Sequence, residues 1–234
     1  MERDYDYSVS AHLGDLEPAD KIGRSAGERA VKRLNPSKIE TGRMAVVYDP
    51  RVATGLVGSL AGALNGAAIA RGSSFLGKSM GRRVMGEGIR IVDDATIVRG
   101  LRSRPFDAEG MATGRLVLVE DGVVQGYVLD LATARELGLE TTGHASRGAG
   151  SAPSPSSSNL RLEPGTIAPQ EMIAGIERGF YVNSLFGHGT NMVTGDYSVG
   201  AAGFMIENGE LTYAVSEITI AGNLKDMLAR LVPA

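Results

Sequence analysis

Glycine is the residue that most restricts the folds open to this chain. It supplies 32 of the 234 residues, about twice its usual share, without the three-residue period of collagen. Because glycine adopts backbone conformations that other residues avoid, this content indicates many tight turns and close approaches of backbone to backbone. Asp121-Gly122 and Asn208-Gly209 have the composition of two-residue hairpin turns and lie between apolar segments. The sequence therefore predicts short antiparallel strands joined by tight turns.

The remaining segments alternate between helical and extended patterns. Helices are predicted by apolar periodicity and end signals at Pro18 to Leu34, Pro50 to about Ala70, Leu131 to Leu137, Pro169 to Arg178, and after Asn223. Strands are predicted at Met44 to Tyr48, Ile89 to Val92, Arg115 to Glu120, Val123 to Leu129, Phe180 to Val182, Gly203 to Glu207 and Glu210 to Val215. The predicted fold class is α+β, with mostly antiparallel β-sheets, hairpins and a few flanking helices.

Gly143 to Asn159 is dominated by Gly, Ser, Ala and Pro and cannot bury apolar surface, so it is predicted to be a mobile or ligand-covering loop. No internal repeat is visible. We expect a single domain over 1–234, with a leading helical segment at 1–42 and an α+β core at 43–234.

Composition excludes several classes of function. The absence of cysteine excludes disulfides, thiolate metal sites and cysteine nucleophiles, and fits a reducing cytoplasm. No apolar run is long enough to span a membrane, and the polar first ten residues are unlike a signal peptide. We therefore expect a cytoplasmic protein without a membrane partner.

The charge distribution is uneven. The formal net charge is -3, which argues against general nucleic-acid binding, yet Arg71 to Arg104 carries eight basic and three acidic residues. Phe75 is the only aromatic residue in that stretch, so a base-stacking platform is not indicated. We interpret the stretch as a solvated or subunit-facing basic surface, with phosphate or an acidic partner as the alternative.

The segment from Gly72 to Ser79, which includes Gly77-Lys78-Ser79, matches the pattern of a phosphate-binding P-loop. Such a loop follows a buried strand and opens a helix, whose N-terminal N–H groups face the phosphates. Here an alanine-rich helix is predicted before it, and the glycine-rich Met80 to Gly88 follows it. We interpret the segment as a turn and keep nucleotide binding through Lys78 as an alternative function.

No self-contained catalytic or metal centre is evident. The histidines His12, His144 and His188 lack helical zinc-ligand spacing, although His144 and His188 could share a site from two glycine-rich loops. Asp93 and Asp94, at the end of a strand, are expected to point to opposite faces rather than form a carboxylate pair. Solvated or turn-forming roles are expected for Glu207, Glu210 and Glu217. The chain is thus predicted to hold no catalytic residue and no metal ligand of its own.

The run from Gly195 through Asn223 to Leu228 resembles the C-terminal domain of the TldD/TldE metallopeptidase family, most closely the TldE branch, also called PmbA. Further matching segments occur in the family's order at Ser74 to Gly77, Asp93-Asp94, Phe106 to Gly110, Thr133-Ala134, Thr142-Gly143, Asn159 to Gly165, and Gly187. By this resemblance we expect the family's N-terminal domain and final segment to be absent from the chain, as in a fragment or a truncated product. Val199 stands where many TldE-like chains have arginine.

The resemblance implies a cytoplasmic zinc peptidase of two related subunits that acts on unfolded peptides and modified-peptide precursors. Zinc is expected in the TldD-like partner and not in this chain, which would pair with that partner or with itself. The older family label, modulator of DNA gyrase, gives no reason to expect direct contact with nucleic acid. A purely structural interaction module is the remaining alternative.

An extended peptide can add to an exposed strand edge, and the resemblance makes such a peptide the expected ligand. The candidate peptide-binding residues, which have turn formation as their alternative role, are Asn159, Arg161, His188, Asn191, Asp196, Tyr197 and Ser198.

Overall fold

The computed structural model describes residues 2–187 and 189–234. Its helices are α1 (Ala19–Lys32), α2 (Pro50–Ala63), α3 (Gly66–Ala70), α4 (Leu131–Leu137), α5 (Pro169–Ala174) and α6 (Leu224–Ala229), with a 3-10 turn at Leu13–Asp15. Its strands are β1 (Ala45–Tyr48), β2 (Ile91–Asp94), β3 (Arg115–Glu120), β4 (Val123–Val124), β5 (Ala145–Ser146), β6 (Ser154–Pro155), β7 (Leu160–Leu162), β8 (Arg178–Phe186), β9 (Asp196–Glu207) and β10 (Glu210–Asn223). The predicted α+β class is confirmed.

The chain forms two compact units. The first contains residues 2–54, 167–187 and 198–220, and the second contains 55–166, 189–197 and 221–234. The single-domain organisation expected from the sequence stays a prediction.

A four-stranded sheet in the order β1-β8-β9-β10 forms the centre of the first unit. β1 runs parallel to β8, whereas β8 and β9 are antiparallel. Phe180 and Val182 on β8 and Met205 on β9 are almost fully buried and form the core with apolar residues of the neighbouring strands. Period-two alternation places these side chains on one face of the sheet.

The second unit is built on the antiparallel sheet β4-β3-β2-β7. Leu60 and Leu64 pack with Ile91, Leu118 and Leu129 in its core, and each is at most 1% exposed. All four residues of β2 are buried, including the two aspartates that end it. Aspartates in such a strand must find hydrogen-bond partners, because a buried unpaired charge is costly.

Both predicted hairpin turns are present. Asp121 and Gly122 have φ values of 48° and 72°, and Asn208 and Gly209 have 51° and 82°. Two consecutive positive φ values characterise the turn type whose twist matches the flanking strands. Gly122 is also tightly enclosed, since a Cβ on it would lie 2.3 Å from the carbonyl oxygen of Met85.

Several predicted boundaries need correction. The helix predicted from Pro50 to Ala70 is two helices, because the Asn65 side chain accepts from Ala67 N and caps α3. The strand predicted from Val123 to Leu129 ends at Val124, because Val128 instead exchanges backbone hydrogen bonds with Leu64 and Gly66. The Val128 bonds join segments more than 60 residues apart, so local patterns did not reveal them, whereas the Asn65 cap is a local contact.

The segment from Ile173 to Val182 also differs from the prediction. The helix starting at Pro169 ends at Ala174 rather than Arg178, and β8 then extends over nine residues. The carbonyl groups of Ile176 and Glu177 accept hydrogen bonds from Gly209 and Asn208 of the second hairpin turn. This contact directs the chain into the sheet before the predicted helix is complete.

The segment predicted to be a mobile or ligand-covering loop, Gly143 to Asn159, contains the short antiparallel pair β5–β6. Ala145 pairs with Pro155, and Ser146 pairs with Ser154. A serine-rich sequence with little apolar content is therefore ordered by backbone hydrogen bonds.

Gly122→Ala is expected to lower the free energy of unfolding by roughly 2–4 kcal/mol, because both the positive φ and the contact with Met85 oppose a Cβ. Gly138 is the matched control, since its φ is also positive at 67° but no atom lies within 4 Å of the position that a Cβ would take. Gly138→Ala should cost only about 1 kcal/mol. Urea unfolding of both variants provides the measurement, and equal losses would contradict the steric explanation.

Candidate functional site

The predicted peptide-binding residues lie in three places. Asn159 immediately precedes β7 and Arg161 lies within it. Asn191 lies in the 190–197 loop of the same unit, and the last two residues of this loop, Asp196 and Tyr197, begin β9. Ser198 is exposed on β9 in the first unit. His188 lies outside the described residues.

β7 is an edge strand of the second unit's sheet. Its bonds to β2 include Asp94 N–H to the Asn159 carbonyl at 3.3 Å and Glu163 N–H to the Arg90 carbonyl at 3.0 Å. Alternate residues of a strand bond to the same neighbour, so the backbone groups of Leu160 and Leu162 point away from β2. An extended chain could pair with these outward groups.

Asn159 holds the beginning of this edge strand in place. Its Nδ2 donates to the Asp94 carbonyl at 2.8 Å and to Ser103 Oγ at 2.9 Å, while its Oδ1 accepts from Arg102 N at 3.0 Å. These bonds occupy the amide, so Asn159 positions β7 instead of offering its side chain to a ligand.

Arg161 presents a different environment. Its side chain is 43% exposed and lies 3.8 Å from Glu163, a carboxylate that is also 3.0 Å from Arg115. A surface pair at this distance contributes little stability, so the guanidinium can exchange partners at low cost. Of the seven candidates, Arg161 is the charged side chain at the open edge.

Internal hydrogen bonds order the 190–197 loop. Asn191 N–H donates to the Asp196 carbonyl, Gly195 N–H donates to the Asn191 carbonyl, and each distance is 2.8 Å. Asn191 Oδ1 also accepts from Val193 N at 3.0 Å, which is the geometry of an Asx turn. Asn191 thus has the turn-forming role that the sequence left open.

Asp196 and Tyr197 complete the loop. The carboxylate of Asp196 accepts from Thr194 Oγ1 at 2.6 Å and Asn223 Nδ2 at 3.1 Å. These bonds, that from Thr194 first, hold the pKa of Asp196 below its ordinary value, so it is an ionised turn residue rather than a proton donor near neutral pH. Tyr197 is 5% exposed and therefore presents little surface to a ligand.

A buried polar cluster brings together Asp93, His144 and Ser158. The Asp93 carboxylate accepts from Ser158 N at 2.8 Å and from Ser158 Oγ, and it lies 3.5 Å from His144 Nε2, an ion-pair distance when the imidazole is protonated. His144 Nδ1 lies 2.6 Å from the carbonyl oxygen of Thr142 and therefore carries a proton. The exposed fraction is 0% for Asp93 and 1% for His144.

Sequence reasoning missed this cluster because its members are far apart in the chain. Burial acts to raise the pKa of Asp93, but the interaction with His144 and the hydrogen bonds from Ser158 outweigh that effect and hold the pKa below its ordinary value. Ser158 Oγ points to the carboxylate and not to the imidazole, so the cluster lacks the serine–histidine contact of an activated nucleophile. Its role is to fasten the serine-rich segment to β2.

The two aspartates serve different neighbours, as their predicted opposite orientation implied. Asp94 Oδ1 accepts from Thr96 N at 2.9 Å and from Thr96 Oγ1 at 2.6 Å. These bonds, followed by the charges of Arg161 and Arg115, hold the pKa of Asp94 below its ordinary value. Asp94 therefore shapes the turn that follows β2.

The Gly72–Ser79 segment does not have the geometry of a P-loop. It follows the short helix α3, and the described chain from Met80 to Arg90 forms turns rather than a helix. Phe75 N–H donates to the Met192 carbonyl at 2.8 Å and Gly77 N–H donates to the Ser74 carbonyl at 3.1 Å. These N–H groups are therefore not directed at a phosphate, and the turn interpretation fits the segment.

The side chains described do not form a zinc site. Zinc in proteins is held by about four ligands, of which three are usually protein groups in catalytic sites. Within residues 2–187 and 189–234, no three His, Cys, Asp or Glu side chains come together in a way that could hold a metal ion. His144 Nδ1 is engaged by the Thr142 carbonyl, and Nε2 faces the Asp93 carboxylate at 3.5 Å.

Comparison with known proteins defines the class. The family model of the PmbA/TldA metallopeptidase C-terminal domain matches residues 41–234. The metalloprotease PmbA of Escherichia coli O157:H7 is 40% identical over 232 residues, which cover 99% of this chain and 50% of that protein. A PmbA homologue of Haemophilus influenzae is 37% identical, with the same two coverages. The chain belongs to the PmbA/TldD metallopeptidase family, and it spans about half the length of these relatives.

Solved structures agree with this assignment. A protein of Bacteroides thetaiotaomicron described as a modulator of DNA gyrase superposes with a TM-score of 0.86 at 33% identity, covering 96% of this chain and 48% of that one. TldE of Thermococcus kodakarensis gives a TM-score of 0.82 at 27% identity, covering 92% and 49%. The family resemblance found in the sequence is confirmed.

No helix in the described part of the chain is both long and apolar enough to cross a membrane.

Asp93→Asn should lower the free energy of unfolding by about 2–4 kcal/mol at pH 7, because it removes the charge facing His144 in a buried site. Since folding lowers the pKa of Asp93, its ionisation stabilises the fold above the ordinary value of 3.8, and this contribution is lost as the pH falls through the folded-state pKa. The difference between wild type and variant should therefore narrow below about pH 4. Denaturant unfolding across pH 3–7 measures this difference, with Asp94→Asn as a comparison that removes a carboxylate bonded to Thr96 and not to His144 or Ser158.

Magnesium–ATP should leave the melting temperature of the wild-type chain and of Lys78→Ala unchanged, because most N–H groups of the Gly72–Ser79 segment are bonded within the protein and the segment does not open a helix. Thermal unfolding at millimolar nucleotide measures this. A stabilisation of a few kcal/mol that disappears in Lys78→Ala would instead establish nucleotide binding.

Proposed function

We propose that the chain is the C-terminal part of a TldE-like, non-catalytic subunit of a TldD/TldE-type peptidase complex in the cytoplasm. It holds unfolded peptide, or completes the cavity that does so, while a TldD-like partner supplies zinc and the hydrolytic step. The observation that carries this proposal is the family match over residues 41–234.

The edge strand β7 provides a physical means of holding peptide. Backbone groups of Leu160 and Leu162 point away from β2, and pairing with them requires an extended chain but no particular sequence. Strand addition therefore suits unfolded peptides of varied sequence, which is the substrate class that the family resemblance implies. Arg161 adds a positive charge beside this edge.

The engagement of the polar side chains in the described part of the chain is consistent with zinc in the partner. His144 fastens the serine-rich segment, and the carboxylates of Asp93 and Asp94 are likewise occupied by local hydrogen bonds. Self-association of the chain would be the alternative assembly.

Partner dependence is the direct test of the non-catalytic role. The purified chain should not cleave an unfolded fluorogenic peptide, and adding a zinc-bearing TldD-like homologue should produce cleavage that a chelator abolishes. Activity of the chain alone in the presence of chelator would contradict the proposal. Copurification of the two proteins supplies an independent readout of the complex.

Strand addition is tested with two peptides of one sequence, one unmodified and one N-methylated at four successive central residues. N-methylation removes the N–H donors on both edges of the peptide, so we expect at least about tenfold weaker binding to the chain. Calorimetric titration gives both affinities. Equal affinities would show that the peptide is held by side-chain contacts and not by strand pairing.

A further inference from the structure

A cavity of about 420 Å³ lies beside the start of β7 and is lined by Arg102, Ser103, Arg104, Ser146, Ser156 and Ser157. All six residues belong to the second unit. The volume is within the range of small-ligand sites. Its lining combines two guanidinium groups with four hydroxyl groups and contains no carboxylate.

The hydrogen bonds of the serines leave donors available. Ser103 Oγ donates to the Ile97 carbonyl at 2.6 Å, and Ser156 Oγ has only a long contact of 3.5 Å with the Ser157 carbonyl. The hydroxyl groups of Ser146 and Ser157 have no partner among residues 2–187 and 189–234. These two hydroxyls can donate to a ligand without breaking a bond of the fold.

The two arginines are also incompletely paired. Arg104 Nε and Nη2 are buried, yet they have no hydrogen-bond partner in the described part of the chain. Arg102 Nη1 makes one long bond, at 3.4 Å to the Ser157 carbonyl. Arg104 lines the cavity and its charge has no hydrogen-bonded acceptor at Nε or Nη2, so an anion bound beside it would stabilise the site.

Asp107 is an acidic residue close enough to interact electrostatically with the guanidinium group of Arg104, but the two side chains do not form an ion pair. Its carboxylate accepts from the backbone N–H groups of Glu109, Met111 and Ala145 at 2.9–3.0 Å. Burial acts to raise the pKa of Asp107, but these backbone bonds and then the charge of Arg104 hold it below its ordinary value. The two guanidinium groups of the lining are therefore available to an anion.

We propose that this cavity binds an oxyanion through the guanidinium groups of Arg102 and Arg104 and the hydroxyl groups of Ser146 and Ser157. The two sources of that chemistry are a carboxylate of a bound peptide and free inorganic phosphate. Ser156 and Ser157 precede β7 in the chain, so the cavity adjoins the strand edge proposed to hold peptide. Binding of a peptide carboxylate therefore rests on the function proposed above, whereas binding of phosphate does not. The basic stretch seen in the sequence then contains a specific ligand site.

Calorimetric titration of the full 234-residue chain with three probes tests the proposal. The probes are inorganic phosphate, a short peptide with a free C-terminal carboxylate, and the same peptide amidated. Tighter binding of the acid than of the amide, by about tenfold, supports the peptide source, whereas phosphate binding with equal peptide affinities supports the free anion. The proposal is wrong if, at millimolar concentration, the wild-type chain binds neither phosphate nor the free-acid peptide more tightly than it binds the amidated peptide.

Variants assign the binding to this cavity. Arg102→Gln and Ser157→Ala should each weaken oxyanion binding, the arginine variant by about tenfold or more, because bonds to charged groups are the stronger ones. Arg71→Gln is the matched control, since Arg71 is exposed in the same basic stretch but does not line the cavity. Equal loss in Arg71→Gln, or no loss in Arg102→Gln and Ser157→Ala, would overturn the assignment.

A separate readout distinguishes this proposal from the proposed function. Partner-dependent cleavage of the amidated peptide by the wild-type chain does not need a carboxylate in the cavity, so it tests the proposed function by itself. If cleavage occurs but no oxyanion binds, the cavity proposal fails alone. If no partner supports cleavage although the cavity binds phosphate, the proposed function fails and the oxyanion site stands.

Discussion

The buried carboxylate of Asp93 is the interaction on which the candidate site depends. It lies on the central strand β2, where it accepts from Ser158 and faces the imidazole of His144 at 3.5 Å. A charge at that depth is tolerated only when its neighbours satisfy it, so both residues are required to remain close to β2. Asp93 thereby holds the serine-rich segment at two points, although that segment buries little apolar surface of its own.

Two features of the second unit follow from this attachment. Ser156 and Ser157 precede Ser158 and line the basic cavity, while Asn159 follows it and leads into the edge strand β7. Asn159 bonds to Arg102 and Ser103, which line the same cavity. The proposed peptide edge and the proposed oxyanion site are therefore positioned by one short segment, and a disturbance of Asp93 would affect both.

Family membership gives these features their context. The chain spans about half the length of its PmbA relatives. In those relatives, the surfaces that correspond to the ones described above are therefore part of a larger protein. The described residues supply strand edges, an ordered glycine-containing loop and a basic cavity, but no group of side chains suited to zinc. The proposed role in holding peptide draws on the strand edge and on the cavity.

The sequence by itself determined the α+β class, both Asx-Gly turns, the helix Leu131–Leu137 and the cap at Asn223, because each depends on neighbours within a few residues. It also identified the family, whose residues recur in order along the chain. Only the tertiary structure decided that Val128 leaves its strand and that Asp93 meets His144 and Ser158. Those outcomes depend on hydrogen bonds between residues more than 50 positions apart, such as Asp93 and Ser158 at a separation of 65, which no local periodicity encodes.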